Sequence, residues 1–224
     1  MFERYAVYYT PQGALAKFGA RWLGWDMERA ALRDHPEVAG LDVAGLTGTP
    51  RKYGLHATVK PPFRLAAGGT VEALERRLAD LCADLPPVTL DGLELSAIGR
   101  FLALTPVGDT AALSALAGRA VRDLDRFRAP PSDEELARRR RADLTPAQER
   151  NLRDWGYPYV MDAFRFHITL TGKLDEDMMA RTRAALAPRL APILPRPFRL
   201  DSLTLAGQRP DGMFVALHRY ALTG

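Results

Sequence analysis

Two of the four histidines in this chain stand in the same short context. His56-Ala57-Thr58 and His167-Ile168-Thr169 each set an imidazole two residues before a hydroxyl. An imidazole, with a reference pKa of about 6.5, can take or give a proton near neutral pH. A hydroxyl can donate a hydrogen bond to an anionic oxygen as charge develops there. Two such pairs around one phosphorus centre would activate water on one side and protonate a leaving alkoxide on the other. With four histidines and this content of serine and threonine, chance supplies about 0.3 His-x-Ser/Thr matches, so one alone says little.

The elements that must carry the motifs show that the two matches are related. LDGLEL begins at Leu90 and LDSLTL at Leu200; FLAL begins at Phe101 and FVAL at Phe214; the two motif histidines are 111 positions apart. Landmarks in matching order at nearly constant separation indicate a duplicated unit. Each copy reads strand, helix, strand, strand. In the first, Gly54–Lys60 is stopped by Pro61-Pro62, Thr70 caps a helix to Leu85, and strands follow at 88–95 and 100–107. In the second, Phe164–Thr171 precedes a helix from Asp175 to Leu190 and strands at 198–205 and 212–222. A strand at Arg4–Thr10 and a helix over Ala14–Gly24 come before the repeat, and residues 34–52, rich in Gly, Pro and Thr, read as loop. A helix from Thr110 to Phe127 leads into an insertion, residues 129–160. Ser132 with Glu135 and Thr145-Pro146 with Gln148 open its two helices, and Gly156 closes the second. The expected fold is α+β and bilobal, one domain over 1–224 with lobe cores at 54–107 and 164–222. Two antiparallel sheets should flank a central cleft, with helices outside.

Period-two alternation divides each motif strand. Leu55, Ala57 and Val59 oppose His56, Thr58 and Lys60, while Phe164, Phe166, Ile168 and Leu170 oppose Arg165, His167, Thr169 and Thr171. The arrangement resembles the 2H phosphoesterase superfamily, named for two His-x-Thr/Ser motifs on the paired strands of a bilobal fold, and the resemblance covers essentially the whole chain. At a finer level, WGYPYV followed by FRFHITLTG is similar to uncharacterised proteins encoded in phosphonate-utilisation operons. The resemblance implies His56 and His167 as acid and base, in an order the near-symmetric pair leaves open. It also implies Thr58 and Thr169 as phosphate-binding groups and a role in carbon–phosphorus assimilation. The reaction expected is metal-independent hydrolysis of a cyclic or linear phosphodiester of a small ribose-containing compound, without a cofactor. Metal ligation would call for further His, Cys or carboxylate groups at set spacing. Two rivals use the same four residues: an RNA-end 2′,3′-cyclic phosphodiesterase or 2′-5′ RNA ligase, and a non-catalytic nucleotide-binding module.

Other residues carry two readings each. Lys60, Arg165 and Thr171 share the motif faces and would meet phosphate, or else are solvated strand ends. Tyr9, Tyr53 and Tyr157 would offer a surface for a sugar or base, or else belong to core and rim. The run Arg138–Arg141 follows SDEE on one helix, the charge order that complements a helix dipole, and reads as a solvated face. His35 reads as surface, His218 as structural and Cys82 as inert core.

The bulk of the chain sets the frame. Its 224 residues are 47% hydrophobic and 26% charged, which excludes collagen-like and disordered classes. No run of 18 apolar residues is present to span a bilayer. The opening MFERYAVYYTPQG lacks a basic-then-apolar signal, and one cysteine suits a reducing cytosol, so a cytoplasmic location is expected. A net charge of +4 and a pI near 9.4 fit anionic partners. A small phosphorylated metabolite or nucleotide is expected first, RNA second, and no membrane.

Overall fold

The computed structural model describes residues 2–140 and 143–224. In chain order the elements are β1 (Arg4–Tyr9), α1 (Gly13–Leu23), β2 (Trp25–Asp26), β3 (Ala31–Leu32), α2 (Val43–Arg51), β4 (Ala57–Phe63), α3 (Val71–Asp84), β5 (Val88–Leu90), β6 (Gly92–Ile98), β7 (Phe101–Val107), α4 (Ala111–Asp123), α5 (Asp133–Arg139), α6 (Pro146–Trp155), β8 (Ile168–Thr169), α7 (Glu176–Leu190), β9 (Phe198–Leu200), β10 (Ser202–Gln208) and β11 (Phe214–Ala221), with 3-10 turns at Asp125–Phe127 and Met161–Ala163.

The fold is α+β and built from duplicated strand–helix–strand–strand units, as the sequence repeat predicts. Its strands run β11-β10-β1-β4-β8-β7-β6, two antiparallel half-sheets joined where β4 meets β8 through the single pair Ala57↔Ile168. The repeats exchange parts across this join. Strand β4 and helix α3 of the first copy lie with the hairpin β10–β11 of the second, while β8 and α7 of the second lie with the hairpin β6–β7 of the first. The lobe cores read from sequence, 54–107 and 164–222, are therefore units of duplication that interleave in space. A small ribbon, β5 with β9, ties the copies again, and its central pair is Thr89↔Arg199. Ala57 and Ile168 are equivalent residues of the repeat, and so are Thr89 and Arg199. An antiparallel pair centred on equivalent residues places a local twofold axis between them, so both joins mark one pseudo-symmetry.

Two of the pieces outside the duplication reach the face that carries the motifs. One is β1, wedged between β4 and β10, and the other is the insertion that carries α5 and α6. The main core forms where the apolar strand faces meet the helices, with Val7, Leu74, Leu78, Leu102, Leu104, Ile168, Leu186 and Leu203 fully buried. Thr70 caps α3 by accepting from Ala73 N, and Asp175 caps α7 by accepting from Met178 N. Thr145 and Gln148 form a reciprocal capping box on α6. Ser132 accepts from Glu135 N, while the Glu135 carboxylate turns instead to Arg139.

Five local readings are corrected by the structure. Residues 43–51 form α2 rather than loop, although VAGLTGTPR holds two glycines and a proline. Burial of Val43, Thr47 and Pro50 and the Asp42 cap supply what propensity lacks. Strand β4 continues through Pro61-Pro62 to Phe63; β8, its neighbour on that side, pairs with it only at Ala57, so missing N–H donors break no ladder there. The predicted strands 88–95 and 198–205 are each two strands, parted at Asp91 and Asp201, with the two parts in different sheets. Strand 164–171 shortens to Ile168–Thr169, because its approach is held elsewhere. Asn151 Nδ2 on α6 donates to Val160 O at 2.9 Å and Asp162 Oδ1 at 2.8 Å, which pins the preceding turn to the insertion.

Candidate active site

The join between β4 and β8 fixes the geometry of the motifs. With Ala57 opposite Ile168 in antiparallel register, His56 falls opposite Thr169 and Thr58 opposite His167. Ala57 and Ile168 are both fully buried, which turns all four motif side chains to the other face. The result is a quartet in which the two imidazoles are diagonal to each other and so are the two hydroxyls. Diagonal neighbours on adjacent strands lie roughly 7–8 Å apart, which leaves a tetrahedral group room between them.

Each imidazole is oriented the same way. His56 Nδ1 donates to Gly54 O at 2.9 Å, and His167 Nδ1 donates to Arg165 O at 2.8 Å. A carbonyl only accepts, so both rings carry a proton on Nδ1 and leave Nε2 as the nitrogen able to exchange one. Thr58 Oγ1 lies 3.3 Å from His56 Nε2 and donates to it. Gly54 makes its anchor possible: it sits at φ +69°, where side chains are disfavoured, and a Cβ there would stand 2.9 Å from Met27. The His56 ring packs against Tyr8 (centroids 4.0 Å apart) and Tyr53 (5.7 Å). Burial pulls its pKa down to about 4, against the raising effect of the Gly54 bond and with help from the charge of His167. His56 is thus a neutral imidazole at pH 7.

A cavity of about 610 Å³ opens over this face, within the range of small-ligand sites. His56, Thr58 and Thr169 line it, with Tyr53, Tyr157 and Thr171 of the other sequence candidates. His167 is not a wall residue; it stands half-buried beside Phe101, which is, at 5.9 Å between rings. Thr171 spends its hydroxyl on structure, accepting from Leu102 N (3.0 Å) and donating to Gly172 O (2.9 Å).

Besides His167, three expected residues are absent from the cavity wall. Between Val7↔Lys60 and Tyr8↔Thr58 the ladder slips by one residue, a β-bulge in β4. The slip turns Lys60 to the opposite face, where its buried Nζ donates to Val121 O at 3.0 Å and lies 3.5 Å from Asp125. Tyr9 packs in the core against Phe166 and Phe198; its neighbour Tyr8, in register with Thr58, is the tyrosine at the site. Arg165 is exposed and contributes its carbonyl rather than its guanidinium. Of the other histidines, His35 is half-buried with Nδ1 on Trp22 O, and His218 is exposed beside Tyr220. Cys82 is buried, its thiol pushed up to about 12 by desolvation.

The sequence reading missed Arg4, Tyr8, Lys52, Arg138, Arg139 and Lys173 on the wall. The arginine run is more than a solvated face. Arg139 lies over the Tyr157 ring at 4.5 Å and donates to Glu135 at 3.0 Å, Arg140 pairs with Glu149 on α6, and Arg141 lies outside the described residues. The signal available was the insertion's own position beside the second motif. Among the described residues, no three His, Cys, Asp or Glu side chains converge as a metal site, and no helix is long and apolar enough to cross a membrane.

Residues 58–215 match the model of a family described as protein of unknown function (DUF1045), and the chain belongs to that family. Among curated proteins it is 36% identical over 231 residues to ribose 1,5-bisphosphate phosphokinase PhnN of Janthinobacterium sp. (strain Marseille), an alignment that takes in 99% of this chain and 51% of that protein. It is 36% identical over 185 residues to the protein of the same name from Laribacter hongkongensis (strain HLHK9), covering 77% and 41%. The chain spans about half the length of the curated relatives it matches. Among solved structures, TT0787 of Thermus thermophilus is similar at 15% identity and a TM-score of 0.48, over 99% of this chain and 98% of that one. E. coli LigT complexed with NADP+ is similar at 15% identity and a TM-score of 0.46, with both chains fully covered.

Proposed function

We propose that this member of the family is a metal-independent phosphoesterase that hydrolyses a cyclic or linear phosphodiester of a small ribose-containing compound. The observation that carries the reading is the diagonal quartet, with both imidazoles anchored through Nδ1 so that each presents Nε2. A phosphate seated between the diagonals meets a hydroxyl at each of two corners and an imidazole at each of the others. His56, held neutral, takes a proton from water at Nε2 as the water oxygen bonds to phosphorus. The ester bond breaks on the far side, and His167 in its protonated form gives its Nε2 proton to the departing oxygen. With phosphate bound, Thr58 turns its O–H from His56 Nε2 to a non-bridging oxygen, which frees that lone pair for water, and Thr169 donates to another as their charge grows.

Two observations support the ribose phosphate class. The curated relatives carry the name of a ribose 1,5-bisphosphate phosphokinase, and the sequence resembles proteins of phosphonate-utilisation operons. The chain's Gly172-Lys173 pair has His167 where a kinase phosphate loop has its first glycine and Leu174 where that loop has Ser or Thr, so this segment is not such a loop. Turnover of cyclic ribose phosphates tests the reading. His56→Ala and His167→Ala should each lower kcat by about 10²–10⁴-fold, and a chelator should leave the wild-type rate unchanged. Wild-type turnover that survives both substitutions would overturn it.

A further inference from the structure

We infer that Arg4, Tyr8, Arg139 and Tyr157 form a second anion subsite, which takes a terminal phosphomonoester of the same substrate whose diester lies at the quartet. The inference rests on the phosphoesterase reading and names its substrate class more narrowly.

A twofold quartet by itself cannot tell one end of a diester from the other. Two pieces of the fold outside the duplication, β1 and the insertion, line the cavity. Strand β1 brings Arg4 and Tyr8, which share a strand face and are roughly 13 Å apart at about 3.4 Å per residue. The insertion brings Arg138 and Arg139 at the end of α5 and Tyr157 after α6. Strand β1 and the insertion thus supply three of the wall's cations, Arg4, Arg138 and Arg139, and the Tyr8 ring stands 4.0 Å from that of His56.

Charge and unmet hydrogen bonds point the same way. The wall residues include five cations, Arg4, Lys52, Arg138, Arg139 and Lys173, and no carboxylate among the described residues. One diester carries a single negative charge and leaves most of that field unanswered, whereas a phosphomonoester adds nearly two more. Among the described residues, three buried side-chain polar atoms lack a partner, and two of them belong to this wall: Tyr8 OH and Arg139 Nε. Both can donate. Glu135 takes Arg139 Nη2 and Gln208 takes Arg4 Nε, so the two guanidiniums are aligned by neighbours while retaining further N–H groups for an acceptor-rich ligand. Unpaired buried donors are costly unless something arrives to accept from them.

The test pairs a binding probe with a matched substrate pair. Ribose 5-phosphate is titrated calorimetrically, with ribose as control, into wild type, Arg4→Gln, Arg139→Gln, Tyr8→Phe and His167→Ala. We expect the Kd to rise at least tenfold in the arginine variants and at least threefold in Tyr8→Phe, while His167→Ala stays within threefold. Tyr8→Phe removes only an unpaired hydroxyl, so its Tm should be equal to or above that of wild type; a fall of several degrees would mean a structural partner and would count against the subsite. In kinetics, a 5′-phosphate on adenosine 2′,3′-cyclic phosphate should raise wild-type kcat/KM at least tenfold, and the ratio should approach one in Arg139→Gln. Equal binding by all variants, or no preference for the 5′-phosphate in a wild type that turns over both compounds, overturns the subsite alone. Probe binding that depends on the arginines, without turnover of either diester, leaves the subsite standing and overturns the phosphoesterase reading.

Discussion

Acid should weaken this fold through one ring. In the unfolded chain His56 takes a proton as pH falls through about 6.5. In the folded chain burial against Tyr8 and Tyr53 defers that proton to about pH 4. Between those values the unfolded state binds the extra proton, so stability is lost as pH falls and the loss is complete once pH is below the folded value. A difference of 2.5 units is worth about 3 kcal/mol, at 1.36 kcal/mol per unit. Urea unfolding followed by fluorescence of the buried Trp22 and Trp25 at pH 7.5 and pH 4.0 measures it. Wild type should lose about 3 kcal/mol more on acidification than His56→Gln, in which the other histidines titrate as before. The same ring should set the acid limb of kcat/KM, with a midpoint well below that of an ordinary histidine. Parallel losses in the two proteins would refute the argument, because they would mean that the imidazole is hydrated and its neutrality at the site is not built in.

Three smaller perturbations separate scaffold from site. Lys60→Met should leave kcat/KM within twofold and change stability by about 1 kcal/mol, since Arg128 still pairs with Asp125 at 2.8 Å; a hundredfold loss of activity would return Lys60 to the cavity. Thr171→Val should cost about 1–3 kcal/mol in urea titrations by stranding Leu102 N. Cys82 should resist a thiol reagent at pH 8 until the protein is unfolded, because its thiol is buried and its pKa is pushed up to about 12; prompt labelling of the native protein would contradict its place in the core.

The meeting of the two His-x-Thr motifs on one face was legible because duplication and strand alternation are both written in side-chain order. What alternation cannot supply is register. Tyr8 rather than Tyr9 meets the site because β1 pairs Tyr8 with Thr58, and Lys60 leaves it because a bulge inserts one residue into the count. Neither fact has a signature in the residues concerned. Helix α2 was hidden for a different reason: its glycines and proline oppose helix formation, and contacts distant in sequence, such as Arg51 Nε on Leu23 O at 3.0 Å, hold it together. Arg138 and Arg139 looked solvated because their own helix balances their charge. Only the folded insertion brings that helix end against Tyr157 and the cavity.

The exchange of parts between the two copies bears on ancestry and on protein engineering. Neither copy keeps its own strand and helix beside its own hairpin, so a chain severed near residue 129 would yield fragments that each expose the seam meant for the other. Such fragments should be recovered as a reassembled pair rather than as separate folded units. A half-length precursor would have met the same demand by lending its strand to a second molecule, and the present chain has the architecture of that mutual loan with its two lenders joined by a tether.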